Sequence, residues 1–338
     1  MHKYIPVGRF APSPTGLIHL GNAWTFFIAW LASRSSYGKM ILRIEDIDPE
    51  RSRKKWIDEI VKDLTWLGLD WDEGPDTGGI HAPYLQSERF AYYGKMLDKL
   101  KRMRKVYPCF CTRKELREVA GAPHGISTGI GYRGAPYPGT CRYLTPQQQN
   151  EKFLSGQKAS LRLLCSNGEA GRRLFSDLIS GLQSSTLEES GGDFVLLRSD
   201  GVWAYQLAVV CDDIAMGINQ VIRGNDILGS TFRQLELYRL FDAVPPQFAH
   251  VPLICDSNGD RLAKRHKSLS ISAIRERGVA PEELVGWFAW QAGLQERATP
   301  ILPKQIADKL RKTEGIPWEK LNRKFINIPN NAFWTSQR

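Results

Sequence analysis

The stretch Arg9-Phe-Ala-Pro-Ser-Pro-Thr-Gly-Leu-Ile-His-Leu-Gly-Asn22 decides how this chain is read. It begins in an apolar run, residues 4–10, that predicts a buried strand. It passes through a Pro/Gly turn and ends in His19-Leu20-Gly21-Asn22, at the start of a long apolar segment over 23–32. The expected unit is strand, tight turn and helix, with a histidine where the helix begins. Helix N-termini attract phosphate because their free N–H groups and dipole point outward. Glycine at 16 and 21 lets a nucleotide lie close to the backbone. As a bare pattern the unit is common, so a plain structural turn stays open beside nucleotide binding.

Working outward, residues 39–47 (KMILRIEDI) predict a second strand that ends in acids. Helical spacing of Ile57, Ile60, Val61, Leu64 and Leu67 predicts a helix over 56–69, and 90–103 predicts another. The Gly/Pro-rich stretch 121–139 reads as loop. Residues 159–165 and 194–197 predict short strands. Residues 205–212 are apolar and lead to a strand over 221–226 that runs into a Gly-Asn turn. Helices are expected over 230–240, 271–277, 281–294 and 303–312, and no internal repeat is evident. This is an α/β pattern interrupted by an insertion and followed by a helical tail. Open parallel sheets bind ligands at the carboxyl ends of their strands. Residues 10–22, 43–48 and 223–226 sit at or past such ends, so they are expected to converge on one pocket.

The chain has 338 residues and a formal net charge of +10, with a pI near 9.3. Basic residues cluster at 51–55, 99–105, 261–267 and 309–312. Each cluster alone reads as a solvated face, but the surplus suits a polyanionic partner, of which nucleic acid is the commonest. No apolar run reaches the roughly 20 residues of a membrane span. Six cysteines in a chain of this length do not form a disulfide framework. With a strand expected so near the N-terminus, no signal peptide is expected. The expectation is a cytoplasmic enzyme, with a monomer favoured and the oligomeric state left open.

His19-Leu20-Gly21-Asn22 resembles the "HIGH" signature of class I aminoacyl-tRNA synthetases, and Arg9 to Gly16 looks like their glutamyl and glutaminyl subgroup. Far away in sequence, Arg261-Leu262-Ala263-Lys264-Arg265 is similar to the "KMSKS" loop of the same class. Asn22 stands where the signature has a second histidine, and Ala263 where the loop has a serine. The resemblance runs from about Gly8 to about Ile271. It implies a Rossmann-like parallel sheet split by an insertion, with a C-terminal helical segment. Residues 1–108 would form the first half of the catalytic domain, 109–195 an inserted subdomain, and 196–255 the second half. Residues 256–338 would carry the lysine loop and helices, without an anticodon-binding domain.

The resemblance further implies activation of L-glutamate with ATP, accompanied by Mg2+, followed by acyl transfer to an RNA hydroxyl. It carries ATP binding onto His19, Gly21, Asn22 and Lys264, with His19 and Lys264 catalytic. It carries glutamate binding onto Arg9, Phe10, Ala11, Pro12, Ser13, Glu45, Tyr205 and Arg223. The chemistry agrees with those residue types. A γ-carboxylate is matched by a guanidinium fork, an α-ammonium by the Glu45 carboxylate, and a phenol can donate to a carboxylate. The plainer roles stay open residue by residue: Arg223 pairing Asp226, Glu45 as a surface acid, Tyr205 as core.

Cys109-Phe-Cys111 and Tyr137-Pro-Gly-Thr-Cys141 bracket the irregular stretch. Three thiolates in one insertion suit Zn2+ in a closed tetrahedral site. The family pattern makes Tyr137 the fourth ligand beside Cys109, Cys111 and Cys141. His124 is a chemical rival, and three ordinary buried cysteines are the bland alternative. Cys165, Cys211 and Cys255 read as core.

The segment after the lysine loop is expected to be too short for an anticodon-reading module. The chain therefore resembles the truncated paralogues of glutamyl-tRNA synthetase that glutamylate the cyclopentenediol of queuosine in tRNA(Asp), activating glutamate without tRNA. Two other readings are a compact glutamyl-tRNA synthetase charging a tRNA 3′ end and a catalytically inactive RNA-binding paralogue.

Overall fold

The computed structural model describes residues 4–112, 114–116, 137–255, 269–313, 315–328, 332 and 334. Strand β1 (Val7–Phe10) pairs in parallel with β2 (Lys39–Leu42), and α1 (Leu20–Arg34) connects them. β8 (Gln220–Gly224) lies beside β1, tied to it where Asn219 N donates to Val7 O at 3.1 Å. β8 pairs in parallel with β9 (Gln247–Val251), which pairs in parallel with β5 (Arg172–Asp177); β6 (Gly181–Thr186) closes that edge as an antiparallel hairpin. A separate antiparallel sheet joins β3 (Val106–Cys109), β4 (Ser160–Leu163) and β7 (Val195–Leu197). Beside it in sequence, α4 (Pro146–Leu154) opens with a capping box between Thr145 and Gln148. This is the expected mixed α/β architecture built on parallel strands.

Helix α1 is buried around most of its circumference because both its faces are covered. On the side facing β1, Phe26 meets Phe10 at a ring separation of 5.5 Å. On the other, Trp24 and Phe27 pack on Phe288 of α8 (Pro281–Gln291) at 5.8 and 5.5 Å. A helix apolar all round is a core helix in a soluble fold of this size. Helices α7 (Ile271–Glu276), α8 and α9 (Pro303–Leu310) thus share the core of the sheet, and β10 (Leu253–Cys255) pairs in parallel with β11 (Phe325–Asn327). A second core gathers α3 (Phe90–Arg102), α5 (Tyr205–Ala215) and α6 (Ser230–Phe241) around Tyr93, Leu207, Val210 and Leu237.

Several expected bounds shift. The second strand ends at Leu42 rather than 47; beyond it only an isolated bridge at Ile44 and single backbone bonds to Phe10 and Pro12 continue the pairing, and α2 spans Lys54–Trp66. The apolar run at 205 is helical and extends to Ala215. The β5–β6 hairpin, within 109–195, joins the sheet of β8 and β9. Its strands alternate weakly and leave Leu174 and Leu182 exposed, so the sequence gives little sign of them. No helix among the described residues is long and apolar enough to cross a membrane.

Candidate active site

The carboxyl ends of β1 and β8 open onto a cavity of about 380 Å³. Arg9, Ala11, Pro12, Ser13, His19, Gly21, Asn22, Glu45, Tyr205 and Arg223 all line it: three strand-end segments converge as their positions predict, joined by Tyr205 at the start of a helix. Phe10 is the exception. Strand alternation turns its ring into the core against Phe26 and Trp71, and it does not line the cavity; its carbonyl accepts from Arg43 N at 2.9 Å.

Arg223, near the end of β8, is 5% exposed and held on three nitrogens by neutral partners. Nε donates to His250 Nε2 at 3.0 Å, one terminal nitrogen to Gln234 Oε1 at 2.7 Å, and the other to Thr231 Oγ1 at 2.8 Å. No carboxylate among the described residues forms an ion pair with it, and the pairing with Asp226 considered from sequence is not made. Burial pushes its proton affinity down, yet a guanidinium stays charged. A buried cation whose hydrogen-bond partners are all neutral is a demand for an anionic ligand.

Across the cavity Arg9 Nε lies 3.6 Å from Asp213 Oδ1. Arg43, fully buried, donates from Nη1 to the same Asp213 oxygen at 2.7 Å and from Nη2 to Glu45 Oε1 at 3.2 Å. Burial pushes the Glu45 carboxyl above its usual range against the pull of Arg43 and Arg9. Glu45 is buried and faces the cavity. Tyr205, the first residue of α5, lines the same wall, and burial raises its phenol.

His19 is the N-cap of α1, with Nδ1 accepting from Asn22 N at 3.3 Å. In the neutral ring that bond leaves the proton on Nε2, a donor suited to a phosphate oxygen. Gly21 permits the arrangement: a Cβ there would meet the His19 ring at 3.2 Å. No acid occupies the first turn of α1, so the helix dipole is not compensated locally.

Lys264 and the rest of the lysine motif lie outside the described residues. The flanks are described and reach the site. Leu253 and Ile254 of β10 line the cavity, and Ile271 N donates to Ile18 O at 2.9 Å while Ser270 bridges His19.

A second constellation sits beyond the end of β3. The sulfurs of Cys109, Cys111 and Cys141 lie within 4.8 Å of one another, with Cys111 and Cys141 3.6 Å apart. Tyr137 Oη is 3.3 Å from Cys109 Sγ and 3.9 Å from Cys111 Sγ. Zn–S bonds of about 2.3 Å and a Zn–O bond near 2.0 Å place the corners of a tetrahedron roughly 3.5–3.8 Å apart. The three sulfurs and the phenol oxygen therefore have the size of a zinc site. Cys141 N donates to Tyr137 Oη at 2.9 Å, which favours a phenolate, but burial and the Cys109 sulfur push the phenol's proton affinity up on balance; the Arg162 guanidinium covers its ring at 3.8 Å. His124 lies outside the described residues. Cys165, Cys211 and Cys255 are buried, as expected of core cysteines.

Residues 7–306 match the family model "tRNA synthetases class I (E and Q), catalytic domain". The chain is 54% identical to a Glutamyl-Q tRNA(Asp) synthetase of Nitratidesulfovibrio vulgaris, over 93% of this chain and 94% of that one. It belongs to the glutamyl-Q tRNA(Asp) synthetase family. A relative of the same name from Symbiobacterium thermophilum is 48% identical over 88% of this chain and 90% of its own. The crystal structure of glutamate-tRNA synthetase from Elizabethkingia anophelis superposes with a TM-score of 0.80 at 25% identity, covering 97% of this chain and 69% of that one. The chain is thus a ligase of the class I synthetase type, which uses ATP.

For a member of this family the sequence reading left out the residues that stand behind the site: Arg43, Asp213, His250 and Asp177. Two of them carried a signal. Arg43 interrupts an apolar strand, and Asp212-Asp213 interrupts an apolar helix. Charged residues at positions patterned for burial are expected to pair, and these do: Arg43 with Asp213, and Asp212 with Arg89 at 2.6 Å.

Proposed function

We propose that the chain activates L-glutamate with ATP in the absence of tRNA and transfers it to the queuosine cyclopentenediol of tRNA(Asp). The observation that carries the first half is Arg223, a buried cation fixed by neutral partners and open to the cavity that His19 also lines. In this reading Arg223 takes the γ-carboxylate and Tyr205 donates to a carboxylate. Glu45 accepts the α-ammonium, whose arrival favours its ionised form. Arg9 and the 11–13 backbone complete the amino-acid side. His19, Gly21 and Asn22 receive the phosphates at the start of α1. The glutamate α-carboxylate oxygen attacks the α-phosphorus, the bond to the β-phosphate oxygen breaks, and pyrophosphate leaves. Lys264 offsets its charge, which is the kind of preorganised electrostatic help that phosphoryl chemistry needs. Mg2+ enters with ATP, because it binds mainly through phosphates and water.

In the second step a cyclopentene hydroxyl attacks the acyl carbon, AMP leaves, and the hydroxyl proton is lost to solvent or base. Support for this acceptor comes from the two relatives of nearly equal length that bear the name Glutamyl-Q tRNA(Asp) synthetase. The basic surplus of the chain suits the RNA. Cys109, Cys111, Cys141 and Tyr137 would hold a structural Zn2+, which supplies cross-linking rather than chemistry and fixes the inserted segment. In this reading residues 1–108 and 196–255 form the catalytic halves, 109–195 the insertion, whose β5–β6 hairpin joins the sheet of β8 and β9, and 256–338 the lysine loop and helices.

The direct test is glutamate-dependent ATP–pyrophosphate exchange with and without tRNA. Exchange without tRNA is expected. A strict requirement for tRNA would favour a compact glutamyl-tRNA synthetase, and no exchange under either condition an inactive RNA-binding paralogue.

A further inference from the structure

We propose that His250, held in a single tautomer by Asp177, is the positioning residue that keeps Arg223 aimed at the substrate carboxylate without neutralising it. The inference rests on the reading of Arg223 as the γ-carboxylate partner.

The geometry leaves one proton arrangement. Asp177 Oδ2 lies 2.6 Å from His250 Nδ1, and both side chains are fully buried. Asp177 Oδ1 accepts from the backbone N–H groups of Ile179 and Ser180 at 3.0 and 2.9 Å. A carboxylate so surrounded by donors is an acceptor, and it is held below its usual range: burial pushes it up, but the His250 bond and those N–H groups prevail. Nδ1 must then carry the imidazole proton. On the far side of the ring, Arg223 Nε–H points at His250 Nε2 over 3.0 Å. Guanidinium has only donors, so Nε2 must be bare. Both ends of the ring demand the same tautomer.

The remaining partners of Arg223 follow the same rule. Gln234 accepts through Oε1 while its amide nitrogen donates to Gln206 Oε1 at 2.9 Å, which fixes the amide's direction. Thr231 Oγ1 accepts from the other terminal nitrogen. Three of the five N–H groups are engaged, and one on each terminal nitrogen remains for a ligand. A carboxylate in place of the imidazole would hold the guanidinium equally well but would cancel the charge the substrate needs.

The groups facing His250 are Asp177 on β5, Arg223 on β8, Asp226 just beyond β8, Thr231 on α6, and the rings of Phe175 and Phe248. Burial lowers the imidazole's proton affinity to about 4, against the pull of Asp177. The ring is thus neutral, and able to accept, throughout the range in which ATP chemistry runs.

The test is steady-state ATP–pyrophosphate exchange with variants of equal size. In Asp177→Asn the amide must donate to Nδ1, which moves the proton to Nε2 and sets two donors face to face. A rise of about 10–100-fold in the glutamate KM is expected, the scale of one charge-assisted hydrogen bond, with the ATP KM unchanged. Adding His250→Gln, whose Oε1 accepts from Arg223 whatever residue 177 is, should recover most of the loss. Should Asp177→Asn not fold, His250→Gln and His250→Leu form a second pair: both lose the Asp177 bond, but only leucine removes the acceptor. The leucine variant alone should then show the raised KM. Equal KM values in that pair, or losses shared by glutamate and ATP without recovery in the double variant, would overturn the proposal. Arg223→Ala separates the two levels. If it leaves the glutamate KM unchanged, the reading of Arg223 itself fails. If it raises the KM while Asp177→Asn does not, only the positioning role fails.

Discussion

Arg43 Nη1 lies 2.7 Å from Asp213 Oδ1 of α5, and the two side chains are buried together. Through Asp213 the pair reaches Arg9, and through the second terminal nitrogen of Arg43 it reaches Glu45. One buried arginine therefore carries three carboxylates, with Asp212 the third at 3.8 Å; of these Asp213 reaches Arg9 and Glu45 lines the cavity itself. Removing one partner of a buried ion pair strands the other charge, at a cost of about 3–5 kcal/mol. Arg43→Met is expected to lower the urea midpoint accordingly and to weaken glutamate binding. A variant of wild-type stability with normal glutamate affinity would show that Asp213 and Glu45 do not depend on it.

The sulfur cluster predicts one zinc per chain in protein purified without chelator, lost in Cys109→Ser and in Cys141→Ser. Tyr137→Phe should also release it, because the phenol oxygen sits at the distance a fourth ligand requires. Elemental analysis of the parent, these three variants and His124→Ala checks this. Zinc retained in Tyr137→Phe but lost in His124→Ala would replace the phenol by the imidazole, and no zinc in the parent protein would leave three core thiols.

Lys264→Ala is expected to slow adenylate formation by roughly 10²–10³-fold, the loss found when one transition-state charge stabiliser is removed. The glutamate dissociation constant should stay near its original value, since the lysine acts on developing pyrophosphate charge. Single-turnover kinetics with titrated glutamate separates the two, and an equal loss in both would assign the residue a structural part.

Stability should fall in mild acid partly through His250. Its folded proton affinity, about 4, lies below the unfolded value near 6.5. Between those limits the unfolded chain binds the extra proton. The contribution is therefore fully present above about pH 6.5 and is lost as the pH falls toward 4. Urea titrations across this window should show a shallower pH dependence for His250→Gln than for the parent. Identical slopes would mean that the imidazole does not resist protonation.

How far the sequence disclosed this protein depends on whether the information was local. The β1–turn–α1 unit was legible because strand, Pro/Gly turn and apolar helix are contiguous, and His19 caps α1 where the helix was expected to begin. Arg9, Glu45 and Arg223 could be placed together because strand ends in a parallel sheet share one side. Phe10 could not be separated from its neighbours in the motif, since only the pleat decides that its ring faces Phe26. His250 and Asp177 gave no signal. They lie on different strands and meet only when β5 pairs with β9, a register that no local pattern encodes. The Tyr137 ligand position was implied by resemblance alone, and the closeness of its oxygen to the sulfurs is a property of the fold.

The acceptor is the central claim, and one measurement addresses it directly: transfer of radiolabelled glutamate to tRNA(Asp) carrying queuosine, against the same tRNA carrying unmodified guanine, with both 3′ ends blocked and the queuosine diol intact. Guanine lacks the cyclopentene hydroxyls, and a blocked 3′ end removes the ordinary acceptor. The account predicts label on the queuosine tRNA alone. Label on neither, together with charging of an unblocked tRNA(Glu) at its 3′ end, would contradict it.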